Sequence, residues 1–401
     1  MASNSKFIAE LLDSNGDVQT ANLDNLSNSL GTASTNNTGD FLQVSNNLSD
    51  LNNASTARTS LGLAIGSDVQ AHISGTGALE IPIGTTVQRP GSPTRGMIRH
   101  NSDFDTLETY DGTNWLLIVD EPRTNPVDFL VIGGGGAGGH GSQHSYPSGG
   151  GGAGGYREFT AQEFALNTNY TITIGAGGSG GSTASNGSDS VFNTITSAGG
   201  GRGGANSDGT HMIGGSGGSG GGGAGSGISS QVGGSGNSPS TNPSQGNAGG
   251  AGSGTVSATG STGGGGGGAG AAGNNGKPSG TGVGGAGIAS SITGTSVTRA
   301  GGGGGSGWHN GGYNPNGAGG GSGGGGSGIS GGSGTVNTGS GGGGGMPASG
   351  GNGGSGVVIL KYSKYYTITN PSGGLTFTTA SFGVFKATTF TAGTGNIQFT
   401  I

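Results

Sequence analysis

Phe129-Leu130-Val131-Ile132 runs into Gly133-Gly134-Gly135-Gly136-Ala137-Gly138, a strand leading to the G-x-G-x-x-G spacing that can cradle a pyrophosphate. That chemistry needs a helix next, whose first N–H groups hold the phosphates. The next residues are Gly139-His140-Gly141-Ser142-Gln143-His144-Ser145-Tyr146-Pro147, which form no helical pattern. Gly276-Lys277-Pro278 likewise puts proline where a phosphate loop needs a hydroxyl for magnesium. His140 and His144 are four apart, a spacing that pairs two imidazoles on a metal only if the segment is helical. From 133 to 356 the charged side chains are Arg157, Glu158, Glu163, Asp189, Arg202, Asp208, Lys277 and Arg299, and no two carboxylates stand together for acid–base work. The many serines lack a nucleophile elbow or a partnering histidine. The expectation is a protein that is not an enzyme, with no catalytic residues, cofactor or metal site.

Exposed aromatics are the stronger signal. Trp308, His309, Asn310, Tyr313 and Asn314 lie together between two glycine runs, where little core is at hand. His140, Gln143, His144 and Tyr146 form a second cluster. Aromatic and amide side chains on loops can stack on sugars and bond hydroxyls, or anchor on a protein surface. The alternative is structural: Trp308 and Tyr313 fold back and cap the glycine segments.

The element that must carry these clusters is glycine itself. Of 106 glycines, 11 precede Gly133 and 5 come after Gly356, leaving 90 in a 224-residue block. Such a block has too few side chains for a core, so to be ordered it must pack backbone against backbone. Polyproline II geometry allows this, with three residues per turn and every N–H and C=O pointing outward to a neighbour. Glycine lets neighbours approach, at the largest entropy cost of any residue. Collagen would need strict Gly-X-Y and abundant proline, but the period slips and there are 12 prolines. A flexible linker is the other alternative for this composition. The expected architecture of residues 125–362 is a polyglycine II helix sandwich on a β frame. Val127 to Ile132 and Val357 to Leu360 would pair as the segments leading into and out of it.

Elsewhere the chain reads as mostly β and irregular. Residues 1–80 form a polar leader in which Leu23, Leu26 and Leu30, and Leu48, Leu51, Ala54, Arg58 and Leu61, recur at helical spacing. Short helices with narrow apolar stripes are marginal alone, so a trimeric bundle of chains is expected. Residues 81–124 read as a small β module, with strands near Ile81 to Ile83, Met97 to Arg99, Leu107 to Tyr110 and Trp115 to Ile118, and a hairpin at Asp111-Gly112. Further strands are expected at Tyr156 to Phe159, Tyr170 to Ile174 and Val191 to Thr196. Residues 363–401 alternate apolar residues with Thr at Tyr366 to Ile368, Leu375 to Phe377, Phe385 to Phe390 and Ile397 to Ile401, which predicts a C-terminal antiparallel β piece. The charge of −6, with 13 scattered basic residues, argues against nucleic acid. No secretory leader and no run long enough for membrane insertion is legible, and with no cysteine there is no disulfide.

Asn47-Leu48-Ser49-Asp50-Leu51-Asn52-Asn53-Ala54-Ser55-Thr56-Ala57-Arg58-Thr59-Ser60-Leu61-Gly62 resembles the NLSDLxNxxTARxxLG repeat of bacteriophage tail fibres. Gly84 to Pro90, Gly96-Met97-Ile98-Arg99-His100-Asn101 and Tyr110-Asp111-Gly112-Thr113-Asn114-Trp115 resemble another module of such fibres, which usually has Tyr in place of His100. The glycine block is similar to glycine-rich tail-fibre tips and adhesins built as polyglycine II sandwiches. The resemblance implies a homotrimeric virion fibre, synthesised in the host cytoplasm and attached through its N-terminal region to other phage tail or virion proteins. It also implies distal loops that bind a bacterial surface polysaccharide or outer-membrane protein. A purely structural spacer that binds only other phage proteins is the competing expectation. A glycan-cleaving depolymerase would need a carboxylate pair that the glycine block lacks.

Overall fold

The structure is a computed structural model. It describes residues 81–118 and 124–401, except 142–145, 206–211, 227–229, 255–259, 279, 281, 310–311, 314–317 and 329; for His309, Gly312 and Tyr313 it describes the backbone alone. The helical stripes, the expected bundle and the Asn47–Gly62 motif therefore lie outside the described residues. Two compact units divide at Val119/Asp120. Nearly every described element is a strand.

In the first unit Ile83–Gly84 pairs parallel with Ile98–Asn101, which continues antiparallel to Thr106–Tyr110 and Trp115–Ile118. The Asp111-Gly112 signal produces its hairpin because Asp111 Oδ1 accepts the Thr113 and Asn114 N–H groups. Tyr110 and Trp115 then face each other, ring centroids 5.5 Å apart. One face of this sheet buries charge. Glu108 is fully buried and accepts bonds from Arg89 (2.5 Å) and Asn101 (2.9 Å), with Arg99 Nη1 at 3.6 Å. Burial pushes the Glu108 carboxyl up, but the Arg89 and Asn101 hydrogen bonds and the two arginine charges outweigh it and hold it below its ordinary value.

The second unit rests on a nine-stranded antiparallel sheet. Its path is Tyr156–Ala165, Thr124–Ile132, Val357–Ser363, Phe385–Thr400, Tyr170–Thr173, Ser190–Phe192 and Ile195–Ser197; Thr367–Thr369 and Leu375–Phe382 also pair with Phe385–Thr400. The segments leading into and out of the glycine block do pair, Val357 opposite Ile132 and Lys361 opposite Asp128. Their sequences are continuously apolar because both faces are covered. Val127, Phe129, Val131, Val358 and Leu360 join an aromatic core with Phe164, Phe192, Phe390 and Phe399, while Leu130, Ile132, Val357 and Ile359 pack on the other side against Tyr156 and Ile292.

Two strand expectations change. Val191 to Thr196 is a hairpin rather than one strand, since Asn193 turns the chain at φ 53°. Phe385 to Phe390 and Ile397 to Ile401 belong to a single strand, Phe385–Thr400. It changes partners along its length, from Val357–Ser363 to Tyr170–Thr173.

The glycine block forms threads with a strict bonding rule. In thread 149–155 the N–H groups of Gly149, Gly152 and Gly155 go to the oxygens of Gly204, Gly201 and Ala198; those of Gly150 and Ala153 go to Gly264 and Gly267; those of Gly151 and Gly154 go to Gly342 and Gly339. All seven bonds measure 2.7–3.0 Å. Three neighbours are served in rotation, and each partner number moves by three. Thread 133–138 does the same, with Gly133 and Gly136 bonding Gly155 and Gly152, Gly134 and Ala137 bonding Ser188 and Ser185, and Gly135 and Gly138 bonding Gly354 and Gly351. At Gly151 no side chain fits, since a Cβ there would collide with the backbone oxygen of Gly136, whereas Ala137 and Ala153 in the same two threads have room for a buried methyl.

Candidate functional site

The bonding registers fix the direction of each thread. Thread 133–139 leaves the sheet from strand Thr124–Ile132, and thread 149–155 returns antiparallel to it and enters strand Tyr156–Ala165. Residues 140–141 and 146–148 therefore mark the end of the lattice far from the sheet. Threads 198–204 and 339–345 run antiparallel to 149–155, outward, while 263–269 runs parallel to it, inward. Thread 300–306 opposes 263–269 and so ends at the same far side.

That topology brings together clusters more than 150 residues apart in sequence. Ser306 N–H donates to the Ser148 oxygen (3.0 Å), Ser148 N–H donates to Ser306 Oγ (2.8 Å), and Ser148 Oγ donates to the Gly345 oxygen (2.9 Å). Both serines are fully buried. They sit where the lattice ends and a hydroxyl can stand in for a missing neighbour. Trp308, two residues past Ser306, lies on strand Gly307–His309 opposite Ser261 and Tyr313 and stays partly exposed. Tyr146, two residues before Ser148, is 40 % exposed. The backbone of His140 bridges to Gly345, and its Nδ1 is buried with no hydrogen-bond partner among the described residues. His309 and Tyr313 are placed by backbone only, and Asn310, Asn314, Gln143 and His144 lie outside the described residues.

The glycine and lysine motifs have other employment in the fold. Every N–H from Gly133 to Gly138 is donated to a neighbouring thread, so none is left to receive a phosphate. Lys277 N–H donates to Thr262 Oγ1, which donates back to the Lys277 oxygen, closing another turn at the far end. The clustered ionisable groups sit at the opposite, sheet end. Tyr156 donates to Glu158 Oε2 (2.5 Å) and Ser290 to Glu158 Oε1 (2.6 Å); burial, and then the Glu158 carboxylate, push the Tyr156 hydroxyl pKa up. Among the described residues no three potential metal ligands converge.

Sequence reasoning passed over the serines at thread ends and the side-chain carbonyls at thread flanks. Asn186, Asn275, Asn352 and Gln245 each accept a thread N–H, from Arg202, Ala251, Gly180 and Ala198 respectively. The available signal was that Asn275 and Asn352 interrupt glycine-rich stretches and that Asn186 and Gln245 each precede a glycine at the edge of a serine-containing turn.

A family model for a glycine-rich domain matches residues 111–363, more than half of the chain. The chain belongs to the glycine-rich domain family. In this glycine-rich domain the match ends with strand Val357–Ser363, which closes the lattice onto the sheet. No curated protein and no solved structure matches the chain.

Proposed function

We propose that this protein is a bacteriophage tail fibre whose glycine-rich domain is a polyglycine II sandwich holding receptor-binding turns at its far end. The observation that carries the reading is the convergence of His140, Tyr146 and Ser148 with Ser306 and strand Gly307–His309 on one end of a lattice whose described N–H groups are largely taken up by its own threads. The three-step rotation of hydrogen-bond partners supports polyglycine II geometry, because three residues per turn send successive N–H groups to three different neighbours. Trp308 and Tyr146 supply the aromatic surface for the receptor, a bacterial surface polysaccharide or outer-membrane protein. Residues 1–80 attach the fibre to the virion and assemble it as a homotrimer.

The test is cell labelling by the tagged full chain on the bacterium that the virus infects. Trp308→Ala combined with Tyr146→Ala should weaken labelling at least about thirty-fold, the roughly 2 kcal/mol expected of a binding hot spot, with melting unchanged. Equal labelling by the double variant would remove these residues from the site. A glycan incubated with the protein should keep its length; release of reducing ends would make the protein a depolymerase.

A structural role as a spacer that binds other virion proteins has its own support. In the first unit, Ile83 (70 %), Ile98 (48 %), Leu116 (49 %) and Ile118 (44 %) are exposed, all on one sheet face by register. Labelling of virion proteins without labelling of host cells would favour that role.

A further inference from the structure

On the flank of the far end, Ser182, Thr183, Ala184, Arg202 and Ala205 line a cavity of about 60 Å³. We infer that this pocket takes one anionic group, a carboxylate or phosphate, so that the polymer bound by the far-end turns is an acidic glycan. The inference rests on the receptor reading above for its biological setting, but the pocket can be tested alone.

Size comes first. A water molecule's share of liquid volume is about 30 Å³ and sites for drug-sized ligands run to about 300–1,000 Å³, so this cavity suits one functional group and no sugar ring. The threads fix its place. Ala137 N–H donates to the Ser185 oxygen and Gly203 N–H to the Ala137 oxygen, so turn 181–184 and residues 202–205 flank the stretch that ends at His140.

Chemistry decides the ligand. The lattice uses the backbone of Arg202, whose N–H goes to Asn186 Oδ1 and whose oxygen accepts Gly215 N–H. Of its guanidinium, Nη1 donates to the Ile213 oxygen at 3.3 Å, and no ion pair among the described residues involves it. A guanidinium offers five donors in a planar fork matched to carboxylate and phosphate. Hydroxyls such as that of Thr183 complete such sites.

The charge distribution favours an anion. Of 19 acidic residues only Asp128, Glu158, Glu163, Asp189 and Asp208 come after Pro126, against seven of the 13 basic ones, so that part carries +2 while the chain carries −6. Asp128, Glu158 and Glu163 sit on the sheet strands. Asp189 accepts Gly199 N–H, three residues nearer the sheet than Arg202, and Asp208 lies outside the described residues. The described far end thus holds Arg202 and Lys277 and no carboxylate. Clustering one sign of charge raises the local concentration of oppositely charged ligand.

The experiment titrates the full chain with sodium glucuronate, glycerol 3-phosphate and neutral glucose in phosphate-free, low-salt buffer. Weak binding of either anion and none of glucose is expected. Glucuronate alone identifies a sugar acid, and glycerol 3-phosphate alone a phosphate-bearing polymer. Arg202→Gln should weaken anion binding at least about tenfold, and Arg202→Lys should restore part of it. Ala184→Leu, which fills the pocket from an exposed turn, should abolish binding without touching the lattice. Anion binding unchanged in Arg202→Gln or Ala184→Leu, binding of glucose as strong as that of the anions, or no anion binding at all, overturns the pocket. Cell labelling separates the two claims. If the wild type labels cells and Arg202→Gln labels them equally, the acidic glycan falls while the receptor reading stands. If anions bind but no cells are labelled, the receptor reading falls and the pocket stands.

Discussion

Gly151 and Gly319 are the same residue type in opposite circumstances. A Cβ on Gly151 would collide with the carbonyl of Gly136, whereas one on Gly319 meets nothing within 4 Å. Gly151→Ala must push threads apart, and overpacking of this kind costs about 1–3 kcal/mol or more. Its melting temperature should fall by at least about 3 °C, from the usual 2–4 °C per kcal/mol for domains of this size. Gly319→Ala should leave melting unchanged or raise it slightly, through reduced freedom of the unfolded chain. Calorimetry of both variants checks the pair, and equal losses would mean that close packing does not govern the block. Glu108 makes a pH prediction at the same scale. Its folded pKa lies below the ordinary 4.5, so the stability it contributes is complete above that value and drains as pH falls through the lower, folded value. Acid titration of the whole chain, followed by tryptophan fluorescence, should show a loss of the first unit's signal from Trp115. Glu108→Gln should remove that acid-dependent loss and lower the unit's stability at neutral pH.

An interior thread such as 149–155 is one element with three bonded sides, and hydrogen exchange should display that. In the central thread 149–155 every amide is donated, so seven consecutive residues should exchange slowly. A flexible linker would exchange them all at once, and a two-partner strand at a sheet edge would alternate fast and slow. Among strands, Thr124–Ile132 and Val357–Ser363 were legible because four-residue apolar runs flank the glycine block, and burial on both faces explains why they do not alternate. The hairpin at Asn193 was not legible: Val191 to Thr196 reads as one continuous β-prone run, and only the positive φ of Asn193 breaks it. The serine ends were equally hidden, since Ser148 and Ser306 differ from the other serines only in where their threads stop.

Across the molecule's second unit the sheet and the lattice depend on each other. Strands Thr124–Ile132, Tyr156–Ala165 and Val357–Ser363 continue directly into threads, so the aromatic core around Phe390 sets where the threads begin. Phe390→Ala should cost about 3–5 kcal/mol and unfold lattice and sheet in one transition, checked by following circular dichroism and thread-amide exchange together. Two separate transitions would show that the glycine block stands on its own. By itself the sequence determined that side chains could not hold the glycine runs within 133–356, that the runs at its two ends would pair, and that the chain beyond its first 80 residues would be mostly β and irregular; composition and local periodicity suffice for these. Which thread lies beside which, and hence that His140, Tyr146 and Trp308 share one end with the Arg202 pocket beside them, was decided only by tertiary structure. Glycine threads have no side chains to code for a partner, so their neighbours are chosen by the register of backbone hydrogen bonds over the whole lattice.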